Sequence, residues 1–403
     1  MESRHISIVS PGGQAHAYPS LGLCSELRKR GWRVTFVIED RLAELVRQGG
    51  CEPVIYTPLG LQVDRKWDDL AKMPPSHPGW FELYASVSWP WLAKNAAVTV
   101  EQVSKFYDAN PPDVVLYDRS AFAGRIVAHR SNCTAIQTFP SFAPDDGFLY
   151  WRDGVCFNPP PLLEFSNTLD SFFHSVGIRK NGNLWHTEDL NICFIPRELQ
   201  FHGELFDDRY SFVGPCLDRP FRRIWSNNAA GKPIILISGQ SGSTDVEFFR
   251  SFIQALTGTN YHVILSVGDQ IADASLAPLP NNFDVNHFAS HLEILPHASL
   301  LICRGGTGIT LEAIYYGVRT ILLPVNPDQE AWVYRMEQLG LGIRIQTDAA
   351  TAEVIRDTID RTLGDSLMQT RVDRMKTVVR QCGGAATAVD KIEEFLRVRQ
   401  DRN

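Results

Sequence analysis

Residues 302–317 read ICRGGTGITLEAIYYG and place glycine at 305, 306 and 308, between an apolar run and a helix-like segment. Glycine lets a main chain approach something bulky or turn through positive φ. At a helix N-terminus it offers unpaired N–H groups and the positive end of the helix dipole, which suits a phosphate. Arg304 stands beside the loop, and its forked, permanent charge matches a diphosphate. Glu312 lies one helical turn beyond Gly308, where a carboxylate accepts from two vicinal ribose hydroxyls. The next apolar run ends in Pro324-Val325-Asn326-Pro327-Asp328-Gln329. Open α/β sheets bind ligands at such strand ends, and Asp328 with Gln329 offers acceptors and donors to a polyol. Anion, ribose and sugar contacts thus follow in order, the layout of a nucleotide-sugar. The plain alternatives are a tight turn for the glycines and an ordinary helix charge for Glu312.

The loop is neither of the two common phosphate motifs. A Gly-x-Gly-x-x-Gly near the first strand is missing, which argues against a nicotinamide dehydrogenase, and no Gly-Lys-Ser/Thr follows the glycines. Its position three quarters of the way along the chain calls for elements that carry it there. The sequence supplies them as alternating strands and helices. Strands are expected at 5–10, 32–38, 113–117 and 134–138, with helices at 17–30, where Pro19 falls near the first turn, and at 120–129. The run DVVLY at 113–117 has the continuous apolar character of a buried parallel strand. A second series holds PIILIS at 233–238, a helix near 246–256, YHVILSVG, SLLIC and RTILLPV. The alternation predicts an α/β fold of two Rossmann-like, doubly wound units. The turn-rich stretch GPCLDRPFRRIWSNNAAG marks the boundary, with 1–215 as the first domain, 216–230 as linker and 231–384 as the second domain. An amphipathic helix over 385–403 follows Gly383-Gly384 and is expected to pack back on the first domain.

At 403 residues the chain is too long for one ordinary core. A formal charge of −7 argues against nucleic acid as the main partner. The eight cysteines are scattered without a Cys-x-x-Cys pair, as expected of small buried residues in a reducing compartment. The polar opening MESRHISIVSPGG does not read as a signal peptide, and no run approaches a membrane span of roughly 18 apolar residues. The cytoplasm is the expected location. Two aromatic clusters stand apart from the α/β pattern: Trp67, Trp80, Phe81, Tyr84, Trp89 and Trp91, then Phe139, Phe142, Phe148, Tyr150 and Trp151. They suit either a packed helical insertion or an apolar cleft for a bulky ligand, in which case Trp67, Phe81, Tyr84, Phe142 and Phe148 are the candidate contacts.

The segment HLEILPHASLLICRGGTGITLEAIYYGVRTILLPVNPDQ resembles the donor-binding signature of family 1 glycosyltransferases, and in particular the bacterial macrolide and antibiotic glycosyltransferases of GT-B fold. HISIVSPGGQAHAYPSLGLCSELRKRGWRVTFV and PPDVVLYDRSAFAGRIVAHR are similar to that family's opening and to its strand ending in aspartate. The likeness runs along essentially the whole chain and is weakest over 55–105 and 145–205. It implies two Rossmann-like domains facing each other across a cleft. It also implies that His16 is the general base that takes a proton from an acceptor hydroxyl, with Asp118 orienting the imidazole.

On the donor side the resemblance carries over residue by residue. Phe288 stands for a tryptophan stacked on the base, Ala289 offers backbone groups to the base edge, and His291 lies near the nucleoside. Arg304 replaces a histidine that donates to the diphosphate. Gly306, Thr307, Gly308 and Thr310 belong to the loop around the phosphates, and Ser241, Gly242 and Ser243 to a second loop facing them, where Gln240 replaces a glycine. Glu312 falls on the ribose-binding glutamate, and Asp328 and Gln329 on the pair that contacts sugar hydroxyls. Trp332 replaces an asparagine nearby. The implied reaction is a single displacement that inverts the anomeric carbon of a UDP- or dTDP-hexose, without metal or other cofactor, onto a bulky apolar natural product. Other readings are a nucleotide-sugar epimerase or hydrolase on the same scaffold, and a catalytically silent partner protein. A homodimer is compatible with the sequence, which sets no oligomeric state.

Overall fold

A computed structural model of the chain describes residues 4–59, 80–144, 150–152, 155–157, 169–178, 186–218, 225–239, 245–268, 270–287 and 290–401. The chain divides into two compact units, Met1–Phe221 with Cys382–Asn403, and Arg222–Gln381.

The first unit is built on strands β1 (His5–Val9), β2 (Arg33–Glu39), β3 (Glu52–Tyr56), β4 (Val114–Asp118), β5 (Thr134–Phe139), β8 (Asn191–Cys193) and β9 (Tyr210–Phe212). They form one parallel sheet in the order β3-β2-β1-β4-β5-β8-β9. A separate antiparallel pair joins β6 (Tyr150–Arg152) to β7 (Val155–Phe157). Every residue of β1 and β4 is buried, because helices cover both faces. On β1, Ile6 and Ile8 enter the core packed by α1 (Gln14–Lys29), whereas Val9 enters the opposite core with Val115 and Tyr117. That second core is closed by α3 (Trp80–Ala109) and α4 (Phe122–Arg130), which follow α2 (Asp40–Gln48). Ala93, Ala96, Val100, Val103 and Tyr107 recur at helical spacing and make one buried seam of α3.

The second unit repeats the plan with β10 (Ile234–Ser238), β11 (His262–Ser266), β12 (Phe283–Asn286), β13 (Ala298–Cys303), β14 (Arg319–Leu322) and β15 (Gly342–Arg344), in the order β12-β11-β10-β13-β14-β15. Its helices are α5 (Val246–Leu256), the short α6 (His291–Ile294), α7 (Thr307–Tyr316), α8 (Pro327–Gln338), α9 (Ala352–Gly364) and α10 (Ser366–Gln381). Phe248, Phe249 and Phe252 of α5 and Ile355 and Ile359 of α9 pack on Ile235, Ile237, Val263, Leu265, Leu300 and Ile302 of the sheet.

The last helix, α11 (Gly384–Gln400), belongs to the first unit. Ala388, Val389, Ile392 and Leu396 enter the core shared with α1. Arg30 reaches Asp390 at 2.5 Å and Glu393 at 3.0 Å, and Trp32 Nε1 donates to Glu393 Oε1 at 3.1 Å. In both sheets the strand order reverses direction about the first strand, between β1 and β4 and between β10 and β13. A switch point of this kind opens a crevice at the strands' C-terminal ends.

Candidate active site

At the first switch point, parallel pairing sets Val9 opposite Tyr117, so Asp118 comes at the end of β4, level with the turn that leaves β1. After Ser10 the chain enters α1 at Gln14 and puts His16 on its first turn. The helix starts three residues earlier than the apolar pattern suggested, and Pro19 sits inside it rather than in its first turn. An internal proline forfeits one helical hydrogen bond. Burial of Ala17, Leu21, Leu23, Cys24 and Leu27 on the sheet offsets that loss. His16 Nδ1 lies 2.9 Å from Asp118 Oδ2, while Asp118 Oδ1 accepts from Ser120 N at 2.8 Å. The carboxylate is 2% exposed and the imidazole 38%. A buried acid with one oxygen held by a backbone N–H has little freedom, and its other oxygen meets the Nδ1 side of the His16 ring.

At the second switch point the glycine loop joins β13 to α7. Gly305 has φ +78°, and a β-carbon there would fall 2.5 Å from Val333 Cγ2, so conformation and packing both demand glycine. Gly306 is the N-cap of α7 and Thr307 its first residue. A β-carbon on Gly308 would meet no atom of the described residues within 4 Å. Thr310, expected at the phosphates, faces the other way. It is fully buried, its hydroxyl lies 2.9 Å from Gly306 O and 3.0 Å from Thr307 O, and it accepts from Trp332 Nε1 at 2.5 Å. Trp332, on α8, is itself fully buried beneath the loop.

Arg304 also departs from expectation. Instead of reaching outward from the loop, its side chain is 5% exposed and pairs with Asp245. Its guanidinium carbon sits 4.0 Å from the centre of the Phe248 ring, and Nη1 makes long contacts of 3.5 Å to Leu323 O and Thr347 Oγ1. Burial pulls its pKa below the usual arginine range, and Asp245 opposes that shift. Asp245 is the N-cap of α5, where its Oδ1 accepts from Phe248 N at 3.1 Å.

His291, at the start of α6, lies 3.2 Å from Ser266 Oγ and 3.4 Å from Ser238 Oγ through Nε2, and its Nδ1 is 3.8 Å from Glu312 Oε2. The structure therefore brings His291 and Glu312 together at the ends of β10 and β11. Asp328 is exposed on the first turn of α8, whereas Gln329 is buried and its side-chain oxygen accepts from Val325 N at 2.9 Å. Phe142 is half-buried against Phe201, with ring centres 4.9 Å apart. Ser241, Gly242, Ser243, Phe288, Ala289, Trp67 and Phe148 lie outside the described residues, as does Gln240. Phe81 and Tyr84 fall on α3, their side chains outside the described part. Sequence reasoning missed Asp245, Phe248, Ser238 and Ser266. Asp245 did carry a signal, since an aspartate before an amphipathic run reads as an N-cap.

Two Rossmann-type units, one with a histidine–aspartate pair at its switch point and the other with a glycine loop at the matching place, define the double-Rossmann class of α/β enzymes. Residues 250–382 match the family described as erythromycin biosynthesis protein CIII-like, C-terminal domain. The NDP-glycosyltransferase YjiC of Bacillus licheniformis is 32% identical over 98% of each chain. Demethyllactenocin mycarosyltransferase of Streptomyces fradiae is 29% identical, over 97% of this chain and 86% of its own. Among solved structures, the calicheamicin glycosyltransferase CalG4 superposes with a TM-score of 0.81 at 28% identity, over 98% of this chain and 99% of its own. The chain belongs to the family 1 glycosyltransferases of GT-B fold. No helix among the described residues is long and apolar enough to cross a membrane.

Proposed function

We propose that the protein transfers a hexose from a UDP- or dTDP-sugar to a hydroxyl of a bulky apolar small molecule, with inversion at the anomeric carbon. The observation that carries this reading is the 2.9 Å contact between His16 Nδ1 and the buried Asp118 carboxylate. With Nδ1–H on Asp118, Nε2 takes the acceptor hydroxyl proton as the oxygen attacks the anomeric carbon. The bond from that carbon to the diphosphate oxygen breaks as the new glycosidic bond forms, and the diphosphate leaves with its electron pair. Asp118 stabilises the imidazolium while it lasts.

On the donor side, Gly308 supports close approach by a phosphate, because no packing among the described residues explains its missing side chain. The N-terminus of α7 supplies N–H groups and dipole to the leaving charge, so the reading calls on no metal. Glu312 and His291 take the ribose side, and Asp328 with Gln329 the sugar. A bulky acceptor rests on the relatives' names and on the aromatic-rich segments of the first unit.

The test is to incubate the protein with UDP-glucose or dTDP-glucose and a hydroxylated macrolide or aromatic polyketide. The expected product is a β-glycoside from the α-linked donor, seen by NMR. His16→Ala is expected to lower kcat about 10²- to 10⁴-fold while nucleotide binding is kept. Near-normal turnover by His16→Ala would remove the general-base role. Donor consumption at the same rate without acceptor would favour a hydrolase.

A further inference from the structure

The Arg304–Asp245 pair spans the second switch point. Asp245 comes from the first β-α connection of the unit and Arg304 from the connection after the neighbouring strand β13. Asp245 uses both carboxylate oxygens, one to cap α5 through Phe248 N and the other for Arg304. The same guanidinium lies over Phe248 and touches Leu323 O, just past β14, and Thr347, just past β15. One buried side chain therefore ties the start of α5 and the ends of β14 and β15 to the glycine loop that follows β13.

We infer that Arg304 is a positioning residue for the nucleotide diphosphate: acting through Asp245, it fixes the N-termini of α5 and α7 against each other, and it does not itself ligate phosphate. This inference rests on the proposed function and deepens it. A guanidinium is permanently charged and planar, so it can bond a carboxylate in its plane and pack an aromatic ring on its face at once. At 5% exposure, with its partners on separate elements, it is set as a brace. The two helix N-termini it braces are where backbone N–H groups and dipoles would meet the diphosphate, and small errors in their spacing weaken every such contact together.

This role and direct ligation predict opposite signs for one substitution. If Arg304 were a phosphate ligand held back by Asp245, then Asp245→Asn would release it and tighten binding. If Arg304 positions through Asp245, then Asp245→Asn weakens binding, although asparagine keeps the cap on α5. The experiment titrates UDP and dTDP into the full chain and into Asp245→Asn, Arg304→Met, the double variant and Asp245→Glu, with thermal unfolding recorded for each. The expected result is a dissociation constant raised about tenfold or more in Asp245→Asn and in Arg304→Met. The double variant should be no weaker than the weaker single, and Asp245→Glu should recover most of the loss. In turnover, KM for the donor should rise and KM for the acceptor should hold. Tighter binding by Asp245→Asn, additive losses in the double variant, or a lowered unfolding temperature with unchanged donor KM would each overturn the inference. A wild-type chain that binds neither nucleotide would overturn the proposed function as well.

Discussion

The two switch points share a strand order and differ in which ion-pair partner is buried. In the first unit the acid ends β4 at 2% exposure and the imidazole on α1 is 38% exposed; in the second the acid caps α5 at 43% exposure and the guanidinium after β13 is 5% exposed. A buried carboxylate beneath an accessible imidazole is the arrangement that the proposed general-base role of His16 calls for. A buried guanidinium keeps its proton at any working pH, so its contribution is charge and shape. One topology thus carries a pair suited to proton transfer and a pair suited to holding loops, and the difference lies in the order in which cation and anion appear along the chain.

The sharpest way to break this comparison is at the first pair. Asp118→Asn is expected to lower kcat by roughly 10²- to 10⁴-fold, because an amide no longer selects the tautomer with Nε2 as base. Combined with His16→Ala it should cost little more than either change alone, since the two act as a unit; a multiplicative loss in the kinetics would show they do not. The second unit should respond in stability as well as in donor affinity. Gly305→Ala forces a β-carbon to within 2.5 Å of Val333 at a φ of +78°. It is expected to cost about 1–3 kcal/mol in urea unfolding, with a raised donor KM. A smaller effect, also about 1–3 kcal/mol but nearer its lower end, is expected for Thr310→Val, which removes the hydroxyl that accepts from Trp332 Nε1 beneath the loop. Unchanged stability in Thr310→Val, paired with lost donor binding, would return Thr310 to the phosphates.

Much of the architecture was legible because its signals are local. Buried strands such as VVLYD and IILIS open on continuous apolar runs, VVLY and IILI, and α11 shows its buried face at Ala388, Val389, Ile392 and Leu396 within nine residues. The start of α1 was misjudged because Pro19 looks like an N-terminal signal, whereas tertiary burial carries the helix through it. The glycine loop and the carboxylate of Glu312 could be found from spacing, since both lie on one loop-and-helix segment.

What the residues settle without coordinates is the alternation of strands and helices and the place of the glycines, as both follow from neighbours a few positions apart. What only the folded chain decides is the direction a side chain takes. Arg304 and Asp245 are 59 residues apart in sequence and meet because β10 and β13 lie side by side. Thr310 turns inward because Trp332, on another helix, offers it an N–H in a fully buried place. Burial and partner choice are properties of packed surfaces, and those surfaces exist once the sheet has set its strand order.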